Sequence, residues 1–516
     1  MFRKMKSGYR IGAAALAAAL ILACLFSLAG CAKAENTVYT SVEELKSGKN
    51  VTVGVITGSC AVEMTEQAIP NARITFYRSS TDMMQAQLAG KISAFVLDEP
   101  YARVMAARNE SLRLLPGDVG PISLAGCFPK TPAGDALRDE FSAFIREFRS
   151  TGKLDAFNEY WMDPYTKKQG PDYASLPALR GTVRLATSPT LEPFSYVQDG
   201  QIIGSDIALA YEFCAASGYA LEVLSMDVDA MIPSLNGRAD MALGMTITEE
   251  RAKQVNFSEP YLTTAESVMA LKCVATVARK SIWQSVADSF EMTFILEQRW
   301  KLIARGIGIT ALISVLSALL GTVLGFGLCL LRRMKNRAVQ CVTRIYIRVM
   351  QGTPQLVLLL ILFYLVFARA EISGWMVAVF AFALNLAAYV CEEIRTGIEA
   401  VDKGQMEAAL ALGFPRGKAF FRIILPQAAR HFLPVYRGEL ISLCKMTSVV
   451  GYVAVEDLTK AGEIIRSRTY EAFFPLIVTA VIYFLISVGL TALLSAAERR
   501  MDPEHRRKLT KGGESK

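Results

Sequence analysis

EAALALGFPRGKAFFRIILP, residues 407–426, is a short charged stretch set inside a strongly apolar half of the chain. Its alanines and leucines favour a short helix. Gly413 can take the backbone angles of a sharp turn, Pro415 suits the first turn of a second helix, and Pro426 is expected to end it. Glu407-Ala408-Ala409 is followed after three residues by Gly413, after nine more by Ile423, and then by Leu425-Pro426. Apolar runs lie around this stretch, at about 307–331, 356–368, 374–391, 432–455 and 473–497. Each predicts a membrane span, and the short second run is expected to begin before Gly352. Arg332, Arg333, Lys335 and Arg337 follow the first run, and Arg499, Arg500, Arg506, Arg507 and Lys508 follow the last. Both clusters belong on the cytoplasmic side, and so does the 407–426 stretch. Trp283, Phe290, Phe294 and Trp300 mark an amphipathic approach helix over 281–305, suited to the membrane interface.

The 516 residues leave room for about two to four domains. The chain is 52% hydrophobic yet 20% charged, with the charge concentrated before the apolar half. That pattern predicts a soluble domain joined to a membrane domain. The net charge of +8 sits largely beside apolar runs, where the positive-inside rule accounts for it. Nucleic acid is therefore not an expected partner. The ten cysteines show neither CxxC nor metal-ligand spacing, and the two histidines, His431 and His505, lie in the membrane half. The soluble part thus excludes a Ser-His-Asp triad and an HExxH zinc site. Gly413 to Ala419 is one residue short of a phosphate-binding P-loop and lacks its hydroxyl, so no nucleotide hydrolysis of that kind is expected in this chain.

The N-terminus opens with Arg3, Lys4, Lys6 and Arg10, then an apolar run over 11–28 ending Leu28-Ala29-Gly30-Cys31. Residues 1–31 resemble a lipoprotein signal peptide, which would make Cys31 the lipidated residue. An uncleaved membrane anchor is the alternative, and either places the next domain outside the membrane. Within residues 51–273, VTVGVITGS (51–59) reads as a strand closing on Gly58-Ser59, residues 81–88 as a helix, and 92–97 as a strand ending at Asp98. Leu137, Phe141, Phe144, Ile145 and Phe148 recur at helical spacing and predict one buried face. Strands alternating with helices predict parallel sheet in α/β layers. DPYTKKQGPDYASLPALR, residues 163–180, carries no periodicity and reads as a linker.

These residues carry three resemblances. The 407–426 spacing is similar to the EAA loop of bacterial ABC-importer permeases, with Glu407, Ala408, Ala409, Gly413, Ile423, Leu425 and Pro426 all at motif positions. QGTPQLVLLLILFY (351–364), residues 388–409 and KMTSVVGYVAVEDL (445–458) resemble the amino-acid branch of that family, with Gln351 where its signature has arginine. Pro193-Phe194-Ser195, Gly204-Ser205-Asp206, residues 232–235 and 237–240, Thr246-Ile247-Thr248, Arg251 and residues 257–261 resemble the first lobe of polar-amino-acid-binding proteins. Residues 51–116 resemble the second lobe, and 128–161 the returning tail of the first. Each part occurs once, in swapped order. The resemblance implies one binding protein, circularly permuted, an arrangement that exposed termini tolerate.

The implied fold is a two-lobed α/β periplasmic-binding-protein-like domain, circularly permuted, followed by an all-α five-span ABC importer permease domain. Its expected parts are residues 41–165 (second lobe and returning tail), a linker over 166–180, 181–273 (first lobe), 281–305 (interfacial helix), 306–498 (permease, with its EAA loop over 396–430) and a basic cytoplasmic tail over 499–516. The implied function is capture of a polar or neutral amino acid outside the plasma membrane and its import through a multi-pass permease. The implied partners are a separate ATPase homodimer that holds the ATP, a second permease subunit (identical or different) and the lipid bilayer. This chain itself would need no cofactor or metal and would not be an enzyme. Arg251 stands at the carboxylate-binding position, assisted by Thr246 and the backbone of Gly244; Asp98 stands at the ammonium-binding position, with Ser59 and Cys60 near it. A guanidinium grips a carboxylate through two parallel hydrogen bonds. Leu191 and Val228 replace aromatic clamps, and Ser188 replaces an acid found in binders of basic amino acids. A cationic side chain would lack both a π partner and a counter-ion, so a neutral or small ligand is expected. A rival reading is an amino-acid-sensing receptor or ligand-gated channel; it needs a pore loop or a signalling domain, and neither is recognisable in the sequence.

Overall fold

The computed structural model describes residues 38–272, 282–368, 370, 372–471 and 473–501. The expected leader with Cys31, Cys273 and the tail past residue 501 lie outside them. The chain divides into two compact units, Met1–Pro121 with Thr264–Arg279, and Ile122–Thr263 with Lys280–Lys516.

In the first unit, α1 (Val42–Ser47) precedes a βαβαβ run: β1 (Thr52–Ile56), α2 (Ala61–Ala68), β2 (Arg73–Tyr77), α3 (Ser80–Leu88) and β3 (Ala94–Asp98). β1 pairs in parallel with both β2 and β3, as helical crossovers require. α4 (Glu99–Arg108) follows, and β4 (Leu112–Pro129) carries the chain out of the unit after Pro121. β12 (Leu262–Leu271) brings it back, and its later residues run antiparallel to β3. Val53, Val55, Ala94, Val96, Val268 and Ala270 form the buried centre of this unit with Leu45 and Leu115.

The second unit begins with an α/β part. α5 (Pro132–Ser150) and α6 (Lys153–Met162) precede β5 (Thr182–Thr187), a small sheet of β6 (Thr190–Leu191), β7 (Ser195–Gln198) and β8 (Gln201–Ile203), α7 (Ser205–Ser217), β9 (Ala220–Ser225), α8 (Val228–Ser234), β10 (Met241–Thr246), α9 (Glu249–Gln254) and β11 (Val255–Phe257). β5 is parallel to β9 and β10, whereas β4 is antiparallel to β10 and β11. The expected parallel sheet therefore holds only where helices make the crossovers. The face predicted on α5 is real: Phe141 and Ile145 are buried, and the Phe141 ring meets Phe213 of α7 edge-on at 5.1 Å. Residues 163–180 contain one short turn, Tyr173–Ser175, but they are not a loose tether. Lys168 is buried, its ammonium lies 4.4 Å over the Tyr160 ring, and its carbonyl accepts from Gln198 at 3.1 Å.

The helical part starts with α10 (Ile282–Phe290), then a π turn, Glu291–Ile295, and a break at Glu297, whose φ is +53°. The approach segment is thus broken, and the helix after it, α11 (Trp300–Arg332), runs 33 residues. α12 (Arg337–Gly352) and α13 (Gln355–Ile361, continued by a π turn to Val366) meet at a bend of 110°. α14 (Gly374–Glu399), α15 (Lys403–Ala411), α16 (Arg416–Ala419), α17 (Leu425–Met446), α18 (Leu458–Thr469) and α19 (Phe474–Met501) complete it. Of the five expected spans, three are unbroken apolar helices, α11, α14 and α19; the other two fall on bent pairs, α12–α13 and the α16–α17 stretch with α18, and the count reaches five where each bent pair is one span. Thr353-Pro354 explains the sharper bend, because proline lacks the amide a continuous helix needs there.

α11 packs on α14 through a stripe of small residues, Ser317, Gly321 and Gly325, all buried. Small residues at four-residue spacing let helix backbones approach within a membrane. A Cβ on Gly325 would sit 2.7 Å from Val390 and 2.9 Å from the Ala387 carbonyl, while one on Gly327 meets nothing within 4 Å. Gly325→Leu should therefore lower the thermal midpoint of the purified chain and convert much of it to aggregate. Gly327→Leu should elute and unfold as the parent does. Overpacking of this kind costs about 1–3 kcal/mol or more.

Candidate functional site

The 407–426 stretch forms two short helices joined by a turn. Asp402 caps α15 by accepting from the Gly404 amide at 2.7 Å. At its other end, the Gly413 amide donates to Leu410 at 3.0 Å and the Phe414 amide to Ala409 at 3.1 Å, with Gly413 at φ +82°. This is the left-handed closure that glycine adopts without strain. Pro415 then stands just before α16. Pro426 corrects the sequence reading: it does not end a helix but lies in the first turn of the 22-residue α17, reached through a π turn, Phe420–Ile424. A proline has no amide to lose there, so it starts a helix as readily as it stops one.

The element has a packed back and an open front. Val401, Ile424 and Ala428 are buried against Met406, Phe420 and Ile423, and Ala409 is buried too. The Arg333 guanidinium lies 5.2 Å from the Phe420 ring, tying the element to the end of α11. Glu407, Ala408 and Gly413 are exposed, and so are Leu412 at 78% and Phe421 at 57%. Ile423 and Leu425 are half-buried beneath them. Exposed large apolar groups around an exposed acid make a surface suited to a protein partner.

The expected ligand-binding residues fall in both units. In the second unit, Gly244 and Thr246 close β10, and Arg251 lies on α9, whose first turn Thr248 caps by accepting from the Arg251 amide at 3.2 Å. Arg251 Nη1 donates to the Thr246 carbonyl at 3.1 Å, so these two expected partners are in contact. The Gly244 amide donates to Tyr261 Oη at 2.6 Å, and that hydroxyl donates to Asp206 Oδ1 at 2.8 Å. A Cβ on Gly244, at φ +72°, would stand 2.6 Å from the Asp206 carboxylate. Burial, with the Asp206 charge second, pushes the Tyr261 phenol well above its ordinary value, so it stays a donor. Burial also pushes the Cys127 thiol up to about 12, against the opposing pull of Arg251. Ser188 Oγ lies 3.1 Å from Thr190 Oγ1, in the turn leading to Leu191. Leu191 ends β6, and Val228 opens α8; both are half-buried.

In the first unit, Ser59 Oγ donates to the Ile56 carbonyl at 2.8 Å, and Cys60 Sγ lies 3.3 Å from Glu266 Oε1. Asp98 ends β3 directly opposite Glu266 of β12, so the two carboxylates share a face of the strand pair. Asp98 makes no side-chain capping bond to α4. Glu266 is a buried acid beside two expected site residues that sequence reasoning missed; nothing local in TTAESV distinguishes it.

Also missed was the junction within the second unit between its α/β part and its helices. Lys460 of α18 pairs with Asp227, Arg468 of the same helix pairs with Glu192, and Arg238 donates to the carbonyls of Ile372 and, at 3.2 Å, Ala370. Arg468 also binds Glu297 at 2.6 Å, and Arg299 binds Glu297 at 2.9 Å. Burial alone would raise the Glu297 carboxyl, but these two guanidinium groups hold it below its usual range.

Three unbroken apolar helices, two bent pairs and an exposed helix–turn–helix define a multi-span membrane protein. Residues 293–503 match the model of the "Binding-protein-dependent transport system inner membrane component" family. The chain is 34% identical over 201 residues, 39% of this chain and 92% of the relative, to "Putative glutamine transport system permease protein GlnP" of Rickettsia felis. It is 38% identical over 216 residues, 41% of this chain and 94% of the relative, to "Arginine transport system permease protein ArtQ" of Bacillus subtilis. It is 35% identical over 222 residues, 43% and 91%, to "L-cystine transport system permease protein TcyB" of the same organism. The chain belongs to this family, and its helical part is a permease of the amino-acid ABC-importer kind. It is a transport component of the inner membrane and not an enzyme, and membership implies an ATPase partner and a small-molecule cargo.

Proposed function

We propose that this chain is the combined substrate-binding and permease subunit of an ATP-driven amino-acid importer. The observation that carries the reading is the pairing, in one chain, of the 407–426 docking element with an α/β part in which Arg251 and Thr246 adjoin at the end of β10. Residues 41–165 and 181–273 are read as one circularly permuted binding protein, residues 166–180 as its connection, and 306–498 as the permease. The α/β part lies outside the membrane, with Cys31 as its lipid attachment, while the 407–426 element and the basic C-terminal residues face the cytoplasm. ATP is bound and hydrolysed by a separate ATPase homodimer, and two permease subunits form the path. Outside, the Arg251 guanidinium takes the ligand carboxylate with help from Thr246 and the Gly244 backbone, and Asp98 takes the ammonium near Ser59 and Cys60.

Leu191, Val228 and Ser188 set the cargo class. None is an anion or an aromatic, so a cationic side chain gains nothing to offset its lost hydration. The arginine permease relative does not conflict with this, because its likeness is to a permease and the Leu191, Val228 and Ser188 positions belong to the binding part. A thermal-shift screen of the full chain in detergent should show stabilisation by neutral L-amino acids, growing with concentration as mass action requires. Arginine and lysine should give little. A larger shift with either cation than with every neutral amino acid overturns the cargo class.

A further inference from the structure

α18 holds the two loops of the α/β part that carry the proposed side-chain positions of the ligand. Lys460 and Arg468 stand eight residues apart on it, a little over two helical turns. Lys460 pairs with Asp227, the neighbour of Val228, and Arg468 pairs with Glu192, the neighbour of Leu191. The Arg468 guanidinium also lies 4.7 Å over the ring of Tyr196 on β7. Lys460, Arg468, Glu192 and Arg238 are exposed by 3%, 7%, 9% and 8%. Arg238 makes a third point of attachment, its guanidinium 4.3 Å over the Phe363 ring. Around these charges the packing is apolar: Tyr364 and Ala454 of the helical part pack on the buried cluster of Met226, Ala230, Met231 and Leu235.

α18 is equally fixed on its other side. Asp457 is fully buried at its N-terminus, accepts from the Lys460 and Thr459 amides at 3.0 and 3.1 Å, and accepts from Tyr483 of α19 at 3.0 Å. The Leu458 amide donates to Thr310 of α11 at 3.3 Å, and a Cβ on Gly306 would meet the Asp457–Leu458 backbone at 2.9 Å. The helix is thus clamped between the two ligand loops and two transmembrane helices.

We propose that the α/β part of the second unit is a fixed piece of the permease's outer face, held by α18 with or without ligand, and that α18 is the element through which the 191 and 228 loops act on the transmembrane helices. The Arg468–Glu192 pair is desolvated, and Lys460 is buried against a half-exposed Asp227; such charges around a shared apolar core are the features of a permanent interface, whereas domains that dock and leave meet through more polar surfaces. Removing one member of such a pair leaves the other buried and uncompensated. The second half of the proposal rests on the reading of Leu191 and Val228 as ligand positions. The first half does not.

The test uses the full chain in its membrane, with Asp227→Cys and Lys460→Cys joined by a short bis-methanethiosulfonate. The linked peptide is quantified by mass spectrometry, which separates it from products of the native cysteines. Glu192–Arg468 and the Arg238 contacts remain to hold the interface. The link is expected in most chains, at the same yield with and without a mixture of the twenty L-amino acids, and linked cells should still take up the radiolabelled mixture. Adding Arg468→Glu should lower the yield by roughly tenfold or more, as loss of a buried pair predicts, and Arg468→Glu with Glu192→Arg should recover part of it, because the new carboxylate still faces Glu297. A link that forms only with amino acids present, or that stops uptake, overturns the fixed interface, as does a yield that Arg468→Glu leaves unchanged. If no amino acid stabilises the chain while the link forms, the ligand reading fails and the fixed interface stands. If amino acids bind normally and the link is absent, the fixed interface fails alone.

Discussion

Gly413→Val should give a folded, membrane-inserted chain that no longer retains its ATPase partner. Gly413 sits at φ +82°, and nothing lies within 4 Å of the position a Cβ would take. The penalty is therefore conformational. An L-residue in this region costs roughly 1–2 kcal/mol, and a β-branched one more. The turn relieves that strain by opening the Leu410–Gly413 and Ala409–Phe414 hydrogen bonds, which separates α15 from α16. Their exposed front, with Glu407, Leu412 and Phe421, then loses its shape. At 1.4 kcal/mol per decade, the strain alone predicts a loss of about tenfold in partner affinity. Gly413→Asn, which tolerates this region best after glycine, should lose less. Glu407→Arg should weaken co-purification without altering the thermal midpoint, because its side chain is exposed and its neighbours do not depend on it. Unchanged co-purification and unchanged ATPase stimulation in both variants would remove the docking role from this element.

Arg251→Ala should abolish stabilisation by every amino acid that stabilises the parent chain. A guanidinium meeting a carboxylate through two charge-assisted hydrogen bonds is a strong contact. Truncating one partner of a buried charge pair costs about 2–5 kcal/mol, or roughly thirtyfold to several-thousandfold in affinity. Arg251→Lys should not rescue it, since an ammonium cannot present the planar fork. The fold should survive both changes. Arg251 is half-exposed on a six-residue helix, and that helix is capped by Thr248 through the Arg251 backbone amide, which both variants keep. Wild-type affinity in Arg251→Ala would dissolve the site assignment while leaving the permease part intact.

The legible parts of this chain were those whose signal is local. The turn at Gly413 could be read because glycine and proline punctuate the backbone where they stand. The α5 face could be read because Phe141 and Ile145 repeat with the helix. Pro426 misled because a proline marks a helix boundary without saying which end. The second run reads as one span begun before Gly352, yet the chain breaks at Thr353-Pro354, and its 110° bend depends on what packs against it. Glu266 and the α18 cations were invisible for a different reason. Lys460 finds Asp227 across 233 residues, and Arg468 finds Glu192 across 276. A buried ion pair between such distant positions leaves no pattern in either stretch, and each residue alone reads as solvated charge.

The most direct test of a fused binding and permease function is reconstitution. The full chain and its ATPase are placed in proteoliposomes with ATP supplied to the ATPase side, no separate binding protein is added, and uptake of a radiolabelled mixture of L-amino acids is measured. The account predicts ATP-dependent uptake that Arg251→Ala abolishes. Uptake that appears only when a separate binding protein is added, and that Arg251→Ala leaves untouched, would contradict it.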